Sequence, residues 1–270
     1  MDSSEPDTRG QVPELLQCWM REALHNRIVV NAKDGSVLVY VPEGEFEMGD
    51  GQDGDTPKHR VYLSAYWVGI YCVTNAQYLK FVQATGYRTP SQGVVCSPAW
   101  EGRKLPPDKA DHPVVCIGWD DAQAYAHWAG CQLPTEAQWE KAARGPQGLI
   151  YPWGNEWDPS RCRRHQNRGS EATCRVYDYP EGISGYGTYN QSGNVWEWCT
   201  DWYDKDYYGR SGKLPIRDPQ GADRSVYRVI RGGSWWYDDA GYFRATYRYW
   251  NDPGYRRDCL GFRLVRPAPF

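Results

Sequence analysis

The chain has 270 residues, 24% charged and 40% hydrophobic, with a net charge of −3. That balance is globular rather than disordered, offers no basic block to hold nucleic acid, and contains no apolar run of membrane-spanning length. Nine cysteines without a C-x-x-C pair, behind an N-terminus that lacks the features of a signal peptide, predict reduced and mostly buried thiols in a cytoplasmic protein.

Aromatics with a polar handle are unusually numerous, 14 Trp and 21 Tyr against 5 Phe. Together with 28 Gly and 19 Pro, this predicts a loop-rich fold whose rings cover backbone while their NH and OH groups find partners. In chain order, Leu15, Leu16, Trp19, Met20 and Leu24 fall at helical spacing. Residues 1–28 therefore read as an N-terminal extension with an amphipathic helix, and 29–270 as a single domain. Val29-Val30 and residues 37–41 flank an Asp34-Gly35 turn and predict a hairpin, while residues 61–67 alternate like one strand. Thr74-x-x-Gln77, Asp120-x-x-Gln123 and Thr135-x-x-Gln138 are capping-box patterns that open helices over 74–85, 120–130 and 135–144. Beyond Gly145 the helical signal stops. Residues 151–187 and 203–225 are loop chemistry, and 193–199 and 226–231 are strands.

The C-terminal stretch is the most unusual. Between Arg228-Val-Ile-Arg-Gly-Gly-Ser234 and Leu260-Gly-Phe-Arg-Leu264 lies an irregular middle, 236–259, crowded with Tyr, Asp, Gly and Arg and free of Lys, Glu, Gln and Met. Such a mixture suits a contact surface, because Tyr gives large rigid area with few rotors and Gly and Asp give turns. A twisted strand pair with inward-facing aromatics fits the same composition.

Eight motifs carry a resemblance. Gly44-x-Phe-x-Met-Gly49, Val73-Thr-Asn-Ala-Gln-Tyr78, His112-Pro-Val114, Leu133-Pro-Thr-Glu-Ala-Gln-Trp-Glu140, Tyr151-Pro-Trp-Gly154, Gly193-Asn-Val-Trp-Glu-Trp198, Arg231-Gly-Gly-Ser-Trp235 and Leu260-Gly-Phe-Arg263 occur in that order. From about residue 37 onward the chain resembles the formylglycine-generating enzyme (sulfatase-modifying factor) family. The resemblance implies an α+β, C-type-lectin-like fold with few helices, a small twisted antiparallel sheet and many long loops.

It does not by itself imply activity. The family's formylglycine generators hold copper(I) on two cysteines just after Gly-Gly-Ser. Here those positions are Tyr237 and Tyr242, and a phenol cannot replace a thiolate on Cu(I). No copper and no catalytic residue are therefore expected. His25, His59, His112, His127 and His165 have no metal-ligand spacing. The family's structural calcium site, carried over residue by residue, would use side-chain oxygens of Asn190 and Glu197 and carbonyls of Gly193 and Val195. The alternative for Glu197 is an arginine partner. A second family calcium site would fall in 161–180, where this sequence departs from the pattern.

Within the family the chain resembles the variable proteins of diversity-generating retroelements. In these, randomised adenines typically change AAC or AAT codons in the C-terminal stretch. Such codons reach Tyr, Asp, Gly, Arg, Cys and Asn but never Lys, Glu, Gln, Met or Trp, so Trp236 and Trp250 would be undiversified. The resemblance implies a non-catalytic ligand-binding protein with contacts at Trp236, Tyr237, Asp238, Gly241, Tyr242, Tyr247, Tyr249, Asn251, Asp252, Tyr255, Arg257, Asp258 and Cys259. Arg244, Arg248, Pro253 and Arg256 would be fixed points between them. The expected partner is a protein or other macromolecule, with no nucleic acid and no membrane insertion. The alternatives are a metal-dependent oxidase or oxygenase of the same fold with altered ligands, and a module docking through Trp19 and Met20.

Overall fold

The computed structural model describes residues 28–90, 100–105, 107–210 and 215–268. The expected N-terminal helix, with Trp19 and Met20, lies outside them. Among the described residues three small sheets carry the fold. The first has the order β1 (Ile28–Val30), β2 (Val37–Val41), β5 (Tyr66–Gly69) and β11 (Val265–Pro267), all antiparallel. The second pairs β3 (Gly44–Met48) with β4 (His59–Leu63), and β4 with β7 (Ile216–Arg217). The third runs β10 (Leu260–Gly261), β6 (Trp196–Trp202), β8 (Arg228–Arg231) and β9 (Arg248–Asn251).

The hairpin forms as its turn chemistry demands: Gly35 sits at φ 81°, and Ile28 pairs with Val39. The single strand expected over 61–67 is instead two strands in two sheets. Ser64 marks the break, because its N–H and hydroxyl both bond the Asp218 carboxylate, at 2.7 and 2.8 Å.

Helices α1 (Asn75–Thr85) and α3 (Glu136–Arg144) open on reciprocal capping boxes. Thr74 Oγ1 accepts from Gln77 N–H while Gln77 Oε1 accepts from Thr74 N–H, and Thr135 and Gln138 repeat the pattern. Helix α2 (Trp119–Trp128) departs from the expectation: it begins at Gly118, whose N–H donates to Asp121 Oδ2 at 2.8 Å, so Asp120 is not its cap. A Cβ at position 118 would lie 2.9 Å from the Pro253 carbonyl oxygen, so a side chain there would push the C-terminal segment away.

Tyr78, Phe81 and Tyr125 from α1 and α2 meet Phe262 in the main core. Trp139 of α3 packs beneath the third sheet beside Cys199 and Val229. Six described cysteines are free thiols. Cys116 is disulfide-bonded, which corrects the expectation of reduced thiols at that position.

Candidate functional site

At the end of β8 the chain turns through Gly232 and Gly233, at φ 101° and 71°. A Cβ on Gly233 would lie 2.8 Å from the Tyr242 carbonyl oxygen, so this left-handed pair lets the following segment fold back onto its own start. A 3-10 turn over Ala240–Phe243 follows, capped by Asp239 Oδ1, and β9 then returns beside β8 with Arg248 opposite Arg231.

Burial divides this segment in two. None of the thirteen expected contact positions is buried, and Trp236 is 51% exposed. Positions 243–246 and Arg248, which lie between them, are all buried. The buried positions are tied to parts of the chain far away. Arg244 pairs with Asp50 and Asp53, and Thr246 Oγ1 donates to Asp50 Oδ2 at 2.6 Å. Arg248 grips Glu136 bidentately, Nε to Oε1 at 2.7 Å and Nη2 to Oε2 at 2.9 Å. Glu136 also accepts from Arg231 at 3.0 Å, and Arg231 reaches Glu140 at 2.6 Å. Burial pushes the Glu136 carboxyl up, but Arg248 and Arg231 outweigh it and hold the group below its ordinary range. Beside it, Asp201 is pushed up to about 7 by burial and then by the Glu136 charge.

The exposed half is a run of rings. Tyr237 stacks on Tyr242 at 4.3 Å, Tyr242 meets Tyr247 edge-on at 5.1 Å, and Tyr249 stacks on the floor residue Trp196 at 5.4 Å. The run continues through Trp250, a residue absent from the expected contacts, to Tyr227 at 4.1 Å and Tyr203 at 5.9 Å. Offset and edge-on pairs of this kind hold one another in place while leaving faces to the solvent.

Tyr237 and Tyr242, the positions where the resemblance implied copper thiolates in the family, are thus adjacent here as phenols. Burial, then the neighbouring Tyr249 and Cys259, pushes the Tyr237 hydroxyl up to about 12. Burial followed by Asp258 pushes the Cys259 thiol up to about 11. Both stay protonated near neutrality and are poor soft-metal ligands. Among the described residues no group of three or more His, Cys, Asp or Glu side chains is placed to hold a metal. The described histidines are dispersed: His59 stacks on Tyr208, His112 bonds Thr173, and His127 and His165 are exposed.

The four expected calcium donors fit a cation unequally. Asn190 Oδ1 is a buried oxygen with no hydrogen-bond partner, as an ion ligand would be. Glu197 is fully buried and already neutralised: Arg263 takes both oxygens at 2.6 and 2.7 Å, and the Trp139 indole donates at 2.9 Å. Glu197 thus has the arginine partner weighed as its alternative.

Sequence reading missed the loop that borders the rings. Arg164 donates to Asp238 Oδ1 at 2.8 Å, the Gln166 N–H reaches the same oxygen at 3.0 Å, and His165 N–H donates to the Tyr237 carbonyl at 3.0 Å. The Arg168 guanidinium lies over Trp235, 5.0 Å from the ring centroid. The loop is shaped from within by Arg163, whose buried guanidinium donates to the carbonyls of Asn167, Arg168, Glu171 and Ala172 at 2.6 to 3.3 Å. The only signal was arginine density in a stretch read as loop.

A family model described as the sulfatase-modifying factor enzyme 1-like domain matches residues 26–268. The chain belongs to that family. Over 284 residues it is 36% identical to a formylglycine-generating enzyme of Streptomyces coelicolor, covering 85% of this chain and 89% of the relative. It is 37% identical over 242 residues to serine/threonine-protein kinase Pkn1 of Chlamydia trachomatis, covering 85% of this chain but only 38% of the kinase. Among solved structures, PvdO from Pseudomonas aeruginosa superimposes with a TM-score of 0.73 at 25% identity, covering 89% of this chain and 98% of that one. Treponema denticola variable protein 1 gives 0.70 at 22% identity, covering 90% and 99%, a likeness of fold. This family member has the C-type-lectin-like α+β fold that its motifs implied. No helix among its described residues is long and apolar enough to cross a membrane.

Proposed function

We propose that this chain is a non-catalytic binding protein that displays an exchangeable surface, residues 236–259, on a C-type-lectin-like scaffold, as the variable proteins of diversity-generating retroelements do. Its ligand is another macromolecule, a protein first of all. One observation carries the reading: the thirteen contact positions are all at least partly open, while 243–246 and 248 between them are buried, with Arg244 and Arg248 ion-paired to distant segments. Fold information and contact information thus reside in different side chains of one segment, which is what a replaceable surface requires. Rigid Tyr and Trp faces supply area at low entropy cost, and Asp, Asn and Arg supply direction.

The test is to sequence this gene from many individuals of its source population. Substitutions confined to the contact codons, with 243–246 and 248 unchanged, are expected. Uniform conservation of the contact codons would remove the reading. The competing one is a metal-dependent oxidase, favoured by the identity to a formylglycine-generating enzyme. It requires redox-active copper or iron at stoichiometry, which metal analysis of the purified protein reads directly. A calcium ion on Asn190, Gly193, Val195 and Glu197 belongs to the same proposal as a structural group; the unpartnered Asn190 oxygen supports it, and the Arg263 grip on Glu197 weighs against it.

A further inference from the structure

At one end of the aromatic run two guanidinia face a pair of tryptophans. Arg168 lies 5.0 Å over Trp235, and Arg257 lies 5.6 Å from the centroid of the exposed Trp236 and 5.9 Å from that of Tyr255. Neither arginine has an ion-pair partner among the described residues, whereas Arg164 nearby is neutralised by Asp238 and Arg256 by Asp121. The facing carboxylate is Asp258, whose backbone carbonyl accepts from the Trp235 indole at 3.1 Å. It feels both Arg257 and Arg168, and burial holds its carboxyl above the ordinary range. Two positive charges against one negative leave the corner with one positive charge in excess. The Arg168 backbone is held in place, since its carbonyl accepts from the Arg163 guanidinium at 2.7 Å.

We propose that Arg168, Arg257 and Trp236 form an anchor for an acidic segment of a protein partner, whose carboxylate is taken by the guanidinia while a neighbouring apolar side chain lies on the Trp236 ring. This rests on the binding-protein reading and gives its ligand a chemical class. A carboxylate matches a single excess charge, whereas a dianionic phosphate would be set against Asp258. A polyanion is disfavoured by Asp239, Asp252 and Asp258 in the same segment. Arg168 lies outside 236–259, and Trp codons are not reached from the AAC or AAT codons that are diversified. Part of the anchor therefore stays constant while its surroundings vary, and successive partners would share an acidic feature at this point.

The probe is a capped hexapeptide, Gly-Phe-Glu-Glu-Phe-Gly, compared with the same peptide carrying Gln for Glu, titrated by calorimetry into the full chain at 50 and 200 mM salt. The acidic peptide is expected to bind at least fivefold more tightly, with the difference shrinking at the higher salt. Arg168→Gln and Arg257→Gln should each abolish the preference, Arg168→Lys should retain part of it, and Arg175→Gln, remote and paired with Asp178, should leave it intact. Equal binding of the two peptides, absence of binding by either, or a preference that survives Arg168→Gln in a folded variant overturns the anchor. Inorganic phosphate binding as tightly as the acidic peptide overturns its assignment to a protein carboxylate. Variation of the contact codons in the population is read independently, so failure here and failure of the binding-protein reading are distinct results.

Discussion

Replacing Arg248 should cost far more than replacing its neighbour Tyr249, although both lie on one strand. The Arg248 side chain is 2% exposed, and Arg248→Met would keep much of the buried stem while deleting the guanidinium. Glu136, itself 1% exposed, would be left with Arg231 as its remaining counter-charge. Removing one partner of a buried pair typically costs about 3–5 kcal/mol, because the other charge stays desolvated. The carbonyl of Asp55, which accepts from Arg248 at 3.0 Å, loses its donor as well. A loss of about 4 kcal/mol is a large share of a typical domain's roughly 5–15 kcal/mol. Tyr249→Asn forfeits ring contacts with Trp196, Tyr247 and Trp250 and some half-exposed area, about 1–2 kcal/mol. Urea denaturation at pH 7, followed by tryptophan fluorescence, gives both values. In a Glu136→Gln background the Arg248→Met cost should fall by about 2 kcal/mol, since no charge is then stranded. If Arg248→Met cost under 1 kcal/mol, or if Tyr249→Asn cost as much, the division of the segment into frame and face would be wrong.

Three further outcomes are expected. The Asp201 carboxyl, pushed up to about 7, lies above its unfolded value of about 3.9. Its burial therefore weakens the fold progressively as pH rises from about 4 to 7, by roughly 4 kcal/mol at most. The stability of Asp201→Asn relative to the natural protein should rise with pH across that window, and a difference independent of pH would refute it. The natural protein should compete poorly for Cu(I) against a bicinchoninate indicator, whereas the double substitution Tyr237→Cys and Tyr242→Cys, at side chains already in contact, should create a thiolate site that withdraws copper from it. Stoichiometric copper on the natural protein would contradict the donor chemistry. If calcium joins Asn190, chelation by EGTA should lower the melting temperature by several degrees and added calcium should restore it. An unchanged melt would leave the Arg263–Glu197 pair as the organiser of that turn.

Much of the architecture was legible because local signals agreed with tertiary ones. Thr74, Thr135 and their glutamines cap helices wherever they occur, and Tyr78, Phe81, Tyr125 and Trp139 lie on the buried faces their spacing gives them. The failures share a cause in long-range contacts. Asp218 splits the expected strand at Ser64, and the Pro253 carbonyl requires the glycine from which α2 starts. Composition left open whether the C-terminal aromatics faced inward or outward. The distinction depends on Arg244 and Arg248 finding Asp50, Asp53 and Glu136, 112 to 194 residues away along the chain. The contribution of loop 163–168 was invisible because arginines in a loop ordinarily mean only solvation.

Arg163 gives that loop a property of a different kind. Backbone carbonyls gathered around a positive centre are what proteins offer to calcium, but here the centre is a guanidinium joined covalently to the loop it organises. Its supply is guaranteed at translation, one per chain. No chelator removes it and no change in free calcium alters its occupancy. The loop beside the aromatic run is therefore held by a centre that changes in free calcium cannot empty.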